Sequence, residues 1–265
     1  MNILVCVKQV PDTTEIRIDP VTNTLIRAGV PSIVNPFDAY ALEMSLRLKE
    51  AVGGTVIVLS MGPEQAKNAL KECLAIGADK AYLCSDRAFG GSDTLATSYI
   101  LSRAIKALEA ANGTFDVIFC GKQAIDGDTA QVGPEIAEHL HIPQVTYAVE
   151  TSLCENSIRV KREVEDGFEL VSVSCPCLIT VTKPKFDPRY PTIRSRMAAN
   201  RAEIPVLTSA DLDIALSYAG LKGSPTKVSK TFTPSLKQGG IRISEETGIG
   251  CAKELVRLLT ERKII

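Results

Sequence analysis

Between Asp116 and Leu140 the chain reads DVIFCGKQAIDGDTAQVGPEIAEHL. An apolar run ends at Gly121, a polar stretch sets Gly127 between Asp126 and Asp128, and a helical pattern opens near Thr129. Strand, glycine loop and helix N-terminus together can hold a phosphate, because unpaired N–H groups and the positive end of the helix dipole meet the anion. Gly127 lets the backbone come close, and the Thr129 hydroxyl and Gln131 amide are candidate donors. The string is neither GxGxxG nor a Walker A loop, so spacing alone leaves open that Asp128 or Thr129 simply caps a helix.

Two other segments offer chemistry. FGGSDTLATS (89–98) loosely resembles the SGGxDS loop of ATP pyrophosphatases, but Phe89 stands where that loop has its first serine. Asp93 as an N-cap is the plainer reading. NPFDAYALE (35–43) sets Asn35 and Asp38 before a helix, near where open α/β sheets bind ligands; a plain cap at Asp38 is the alternative. Cys175-Pro176-Cys177 lacks a second cysteine pair, and His139 and His141 have no carboxylate motif beside them, so no metal site is expected. There is no GxSxG and no HExxH to support hydrolysis.

These candidates need elements to position them. NILVCV (2–7), TVIVLS (55–60), KAYLC (80–84) and DVIFCG (116–121) are apolar without alternation, as strands covered on both faces by helices must be. Helical stretches lie between them at 38–51, 64–77, 93–111 and 129–140. In the second, Ala66, Ala69, Leu70, Cys73 and Leu74 share one face, and Gly77 is a natural stop. This alternation predicts a doubly wound, mostly parallel α/β sheet. Two hairpins are expected to interrupt it, at 15–27 and at 157–174, the latter turning on Asp166-Gly167. CLITVT (177–182) returns as a buried strand. Residues 183–201 are Pro-rich, with six basic residues against Asp187. Residues 221–240 are Gly/Pro/Ser/Lys-rich, and an amphipathic helix closes the chain at 245–263. The division expected is an α/β domain over 1–205 and an arm over 206–265 covered by a partner.

Composition narrows the class. A chain of 265 residues buries about three quarters of its unfolded surface and needs no staples. Thirty basic against 31 acidic residues give a net charge of −1, with no general field for nucleic acid. No apolar run is long enough to span a bilayer, and MNILVCVKQV reads as a strand rather than a leader. The eight cysteines are then expected to be reduced thiols in a cytoplasmic protein.

At GKQAIDGDTAQVGPEIAE the chain resembles the β subunit of electron-transfer flavoproteins. VCVKQVPD, NPFDAYALEMSLRLKE, LSMGPEQAKNALKECLAIGAD, VKREVEDGFELVSVSCPCLITVT and DPRYPTI follow that family in the same order, from the first strand to about residue 200. The resemblance implies pairing with an α subunit that carries FAD. It implies that Cys6, Asn35, Pro36, Phe37, Asp38 and Met61 line the adenosine side of a nucleotide. Gly121, Lys122, Gln123, Ala124, Ile125, Asp126, Gly127, Asp128, Thr129, Ala130, Gln131 and Val132 would wrap its adenine and phosphates.

Ordinary members bind structural AMP there and look more like IDDDCNQTGQ. The IDGDTAQVGP form resembles the flavin-bifurcating branch, whose β subunit holds a second FAD. On that reading Asp93 and Thr94 lie toward the flavin ring. NADH reduces this flavin, and the electrons part to ferredoxin or flavodoxin and, through the α-subunit FAD, to an acyl-CoA dehydrogenase-type partner. DPRYPTIRSRM resembles the family's recognition loop, with Ile193 as anchor and Arg189, Arg194 and Arg196 as rim. Glu163 is similar to an acidic residue that contacts the mobile flavin domain of the α subunit. The AMP-binding carrier, an adenine-nucleotide regulatory module and an ATP pyrophosphatase-like enzyme remain as alternatives.

Overall fold

The four apolar runs become the centre of one sheet. The computed structural model describes residues 1–12, 31–155, 157–229 and 239–265. In chain order the elements are β1 (Asn2–Cys6), β2 (Gln9–Pro11), β3 (Ser32–Val34), α1 (Pro36–Val52), β4 (Thr55–Met61), α2 (Lys67–Ile76), β5 (Lys80–Cys84), α3 (Thr94–Asn112) and β6 (Val117–Gly121). They continue with α4 (Val132–Leu140), β7 (Gln144–Cys154), β8 (Ser157–Val164), β9 (Gly167–Ser174), β10 (Cys177–Val181), α5 (Ile193–Arg201), β11 (Val206–Leu207), α6 (Gly220–Gly223) and α7 (Gly248–Glu261).

The main sheet runs β11-β5-β4-β1-β6-β10-β7-β8-β9. Strands from β11 to β7 pair in parallel, and β8 and β9 extend the edge as an antiparallel hairpin. Period-two alternation sends Ile3 and Val5 to one core, shared with Leu42 and Leu46 of α1 and Leu70 of α2. Leu4 and Cys6 go to the other, with Ile100 and Ile105 of α3 and Ile136 of α4. Each fully buried aliphatic side chain contributes roughly 1.5–3 kcal/mol, so strands apolar on both faces draw helices to both.

From β1 the chain builds β4 and β5 on one side, then crosses back through α3 to place β6 on the other. The ends of β1 and β6, at Cys6 and Gly121, therefore flank the point where strand order reverses, which is where open sheets make their ligand crevice.

The expected α/β class is what the structure shows, with several differences. α4 opens at Val132, not near Thr129, and neither Asp128 nor Thr129 caps it: its N-cap is Gln131, with no side-chain cap bond. The hairpin turn is Glu165-Asp166, because Gly167 already pairs with Val164; Gly167, at φ 146°, alone takes a positive angle there. β7 was not expected. Residues 193–201, read as loop, form α5 behind a Thr192–Ser195 capping box. The sheet also continues past residue 205 through β11, and Leu212 and Ala219 join the α3-side core. The hairpin expected at 15–27 lies outside the described residues; β2 and β3, which flank it in sequence, pair antiparallel. Part of 221–240 also lies outside them. α7 forms as expected and buries none of its residues.

Candidate functional site

The loop after β6 is braced from below by the start of α1. Pro36 occupies the first turn with its fixed φ, and Asp38 follows two residues on, turned inward. Asn35 is fully buried, and its amide donates to Gln123 O at 2.8 Å while its Oδ1 accepts from Ile125 N at 3.1 Å. Asp38 accepts from Gly121 N at 3.1 Å and from Lys8 N at 2.7 Å, joining the ends of β6 and β1. Neither side chain caps α1. Asn35 and Asp38 thus hold the loop's backbone in place. A Cβ on Gly121 would lie 2.3 Å from Asp38 Oδ1 and 2.7 Å from Phe37 C, so only glycine permits this approach. Burial pushes the Asp38 carboxyl up to about 7, against the pull of the Lys8 and Gly121 N–H groups and the Asn35 amide.

Beyond this brace the loop is exposed from Ile125 to Thr129. Gly127 N and Asp128 N close a turn on Ala124 O. Asp128 and Ala130 then take left-handed angles, φ 51° and 54°, which are strained for side chains with a Cβ. Among the described residues, no hydrogen-bond acceptor meets the backbone N–H groups of Thr129, Ala130, Gln131, Val132 or Gly133. Five successive unpartnered N–H groups at the N-terminus of α4 are candidate donors to an anion. Gly127 lies open beside them: an added Cβ would meet nothing within 4 Å. Its own fold therefore does not require glycine at 127. The donor set suits phosphate oxygens, and the residues present fit a nucleotide diphosphate.

Side chains close the rim. Lys8, which sequence reasoning did not single out, pairs with Asp126 at 2.7 Å, and Gln123 donates to Asp128 at 2.7 Å. Thr94 Oγ1 lies 3.3 Å from Glu135 Oε1 and 3.4 Å from Gln131 Oε1, bringing the starts of α3 and α4 together. Asp93 does cap α3, accepting from Ala96 N at 3.1 Å, and its other oxygen takes both donors of Thr226. It ties down the C-terminal arm, and no feature of the sequence marked that tether. Cys6 and Cys120 sit opposite each other in register on β1 and β6, and Met61 ends β4 half-buried. All eight cysteines are free thiols; burial pushes Cys84 and Cys177 up to about 12. His139 meets Tyr99 edge-on at 5.8 Å, and its Nε2 and Glu135 Oε2 are buried without a partner among the described residues. His141 ends α4 in the left-handed region. No described helix is long and apolar enough to cross a membrane.

The electron transfer flavoprotein domain family matches residues 22–212, which include the brace and the whole loop. The chain is 53% identical over 263 residues to the electron transfer flavoprotein subunit beta of Thermoanaerobacterium thermosaccharolyticum, covering 99% of this chain and 97% of that one. It is 53% identical to the corresponding subunit of Megasphaera elsdenii over the full length of both. With the caffeyl-CoA reductase-Etf complex subunit CarD of Acetobacterium woodii it shares 48% over 266 residues, again the full length of both. The chain belongs to the electron transfer flavoprotein β-subunit family.

Four of the five residues that the family resemblance marks for partners lie on exposed surface. Ile193 opens α5 at 83% exposed, with Tyr190 and Met197 also exposed and Arg194 and Arg196 beside them. Glu163 is exposed on β8, opposite Phe168. Arg189 differs. It turns away from the rim to pair with Glu43 and Glu50 of α1, and so it anchors the segment. α5 itself rests on α2 through buried Ala199 and a 2.9 Å bond from Lys71 Nζ to Asn200 O.

Proposed function

We propose that this β subunit holds FAD on the 121–133 loop and serves in a flavin-bifurcating electron transfer flavoprotein. The run of unpartnered N–H groups from Thr129 to Gly133, beside an open Gly127, carries the reading. A flavin there supplies hydride acceptance from NADH and single-electron delivery along two branches, to ferredoxin or flavodoxin and to the FAD of the α subunit. Of this chain's residues, the N–H cradle holds the diphosphate, while Asn35 and Asp38 keep the loop at its height above the sheet. Lys8 balances Asp126 at the loop's edge, where an uncompensated carboxylate would repel a phosphate. Thr94, fixed by Glu135 at the start of α3, stands toward the rest of the ligand.

The second branch ends on an acyl-CoA dehydrogenase-type flavoenzyme. The exposed Tyr190, Ile193 and Met197 with Arg194 and Arg196 support docking there: an apolar plug inside a cationic rim. The relative named for a caffeyl-CoA reductase complex supports a partner of the CoA-thioester class.

The test is the nucleotide content of the chain purified with its α subunit and released by denaturation. Two FAD and no AMP per heterodimer is the expected result. One FAD with one AMP would make this an ordinary carrier and overturn the bifurcating assignment.

A further inference from the structure

Glu43 is a charged side chain that the nucleotide loop does not use. It lies on α1, 2% exposed, and all its acceptor capacity is spent on two arginines. Arg47 Nε donates to Oε1 at 2.7 Å. Arg189 donates three times: Nε to Oε2 at 2.8 Å, its backbone N to Oε2 at 3.1 Å, and Nη2 to Oε1 at 3.1 Å. The outer side of the same guanidinium reaches Glu50, two turns along α1. Arg47 in turn lies 4.0 Å over the ring of Phe186. The chain is thus gripped at 186 and again at 189, three residues before the Thr192 cap that starts α5.

A buried ion pair is weak support for stability, since desolvation offsets its attraction; what it can fix is one conformation. Here the forked guanidinium and the backbone N–H of one residue are both taken by one carboxylate, which sets position and direction together. Downstream of Arg189, the exposed Tyr190, Ile193, Arg194, Arg196 and Met197 make up the proposed docking face.

We propose that Glu43 is a positioning residue for partner docking, fixing through Arg189 the angle at which Ile193 and its neighbours meet the dehydrogenase. The inference rests on the docking reading above and adds the element that aims it. Preorganisation of a contact face shows in affinity for the partner and leaves chemistry within the bound complex untouched.

The experiment uses the heterodimer with its α subunit and a short-chain acyl-CoA dehydrogenase holoenzyme as probe, varied across its apparent KM in NADH-driven turnover. Glu43→Gln presents an amide N–H to the guanidinium and should raise that KM about tenfold with kcat, nucleotide content and NADH reduction unchanged. Arg189→Lys keeps the charge, loses the fork and should move KM the same way by less; it also serves if the Gln variant folds poorly. Ile193→Ala is the control. If it raises KM while Glu43→Gln and Arg189→Lys leave it within about twofold, the positioning role is overturned and the docking face stands. If none of the three moves KM, the docking reading itself fails. Loss of bound nucleotide in Glu43→Gln would also overturn the proposal, by assigning Glu43 to the fold of α1.

Discussion

Two buried carboxylates on one helix are handled in opposite ways. Asp38 supports the nucleotide loop through neutral N–H donors, and burial wins: its carboxyl is pushed up to about 7. Glu43 supports the docking segment through guanidinium groups. Burial pushes it up too, but the bonds from Arg189 and Arg47 outweigh that, and its carboxyl is held below the usual glutamate range. Charged donors compensate desolvation where neutral ones fall short. The surfaces they support differ in kind as well. The loop presents backbone, five N–H groups in a row; the docking segment presents the side chains of Ile193, Met197 and two arginines. The first should be sensitive to bulk and placement, the second to truncation.

The largest effect expected is at the loop. Gly127→Glu places bulk and negative charge beside the cradle without touching the fold, because nothing lies within 4 Å. The variant should melt like the nucleotide-stripped wild type and lose the β-site nucleotide, leaving the α-subunit flavin. Unchanged stoichiometry on release would refute the backbone cradle.

Next is the pH response of the two carboxylates. The folded state holds the Asp38 proton above the ordinary value of 3.8. Stability from this source is therefore full below about pH 4 and drains as pH rises toward 7, by at most roughly 4 kcal/mol. Glu43 runs the other way, contributing above its ordinary range and losing that contribution as pH falls. Urea midpoints at pH 5 and pH 8 should lie closer together in Asp38→Asn than in the wild type; the same spacing in both would mean Asp38 is ionised throughout.

Gly121→Ala tests the brace by bulk, since its Cβ would meet Asp38 and Phe37. It should cost about 1–3 kcal/mol of stability, whereas Gly127→Ala should cost little. Equal costs would erase the distinction between a glycine the fold requires and one it leaves open. The smallest effect is Ile193→Ala, which should weaken delivery to the dehydrogenase by about tenfold, near 1.4 kcal/mol, with melting and NADH reduction unchanged. Failure of NADH reduction there would put Ile193 at the wrong surface.

The parallel sheet was legible because its central strands are apolar on both faces, and Asp93 was legible as a cap. β7 was not. Its alternation is broken by a bulge at Tyr147, at φ 61°, which the Thr180 hydroxyl closes from the neighbouring strand. α4 starts late because Asp128 and Ala130 turn left-handed, a conformation that aspartate tolerates but alanine does not announce. α5 hid in a Pro-rich basic run, although Thr192 and Ser195 spelled its capping box. The loop and its brace segment were found from sequence, but the direction of the brace side chains was not, because Asp38 looks like a cap until Gly121 is seen beside it. Arg189 was read as a rim charge for the same reason: Glu43 and Glu50 are more than 130 residues away.

One helix bears both supports, and this limits what can be grafted. A chimaera that took residues 183–201 from a relative would bring whatever side chain that relative has at 189 to face Glu43 and Glu50 of this α1. A chimaera that took α1 along would exchange Asn35 and Asp38 beneath the nucleotide loop. On the roles proposed for the two surfaces, partner choice and nucleotide retention would be inherited as one block, and the smallest exchangeable module for redirecting electrons would run from the end of β3 to the end of α5.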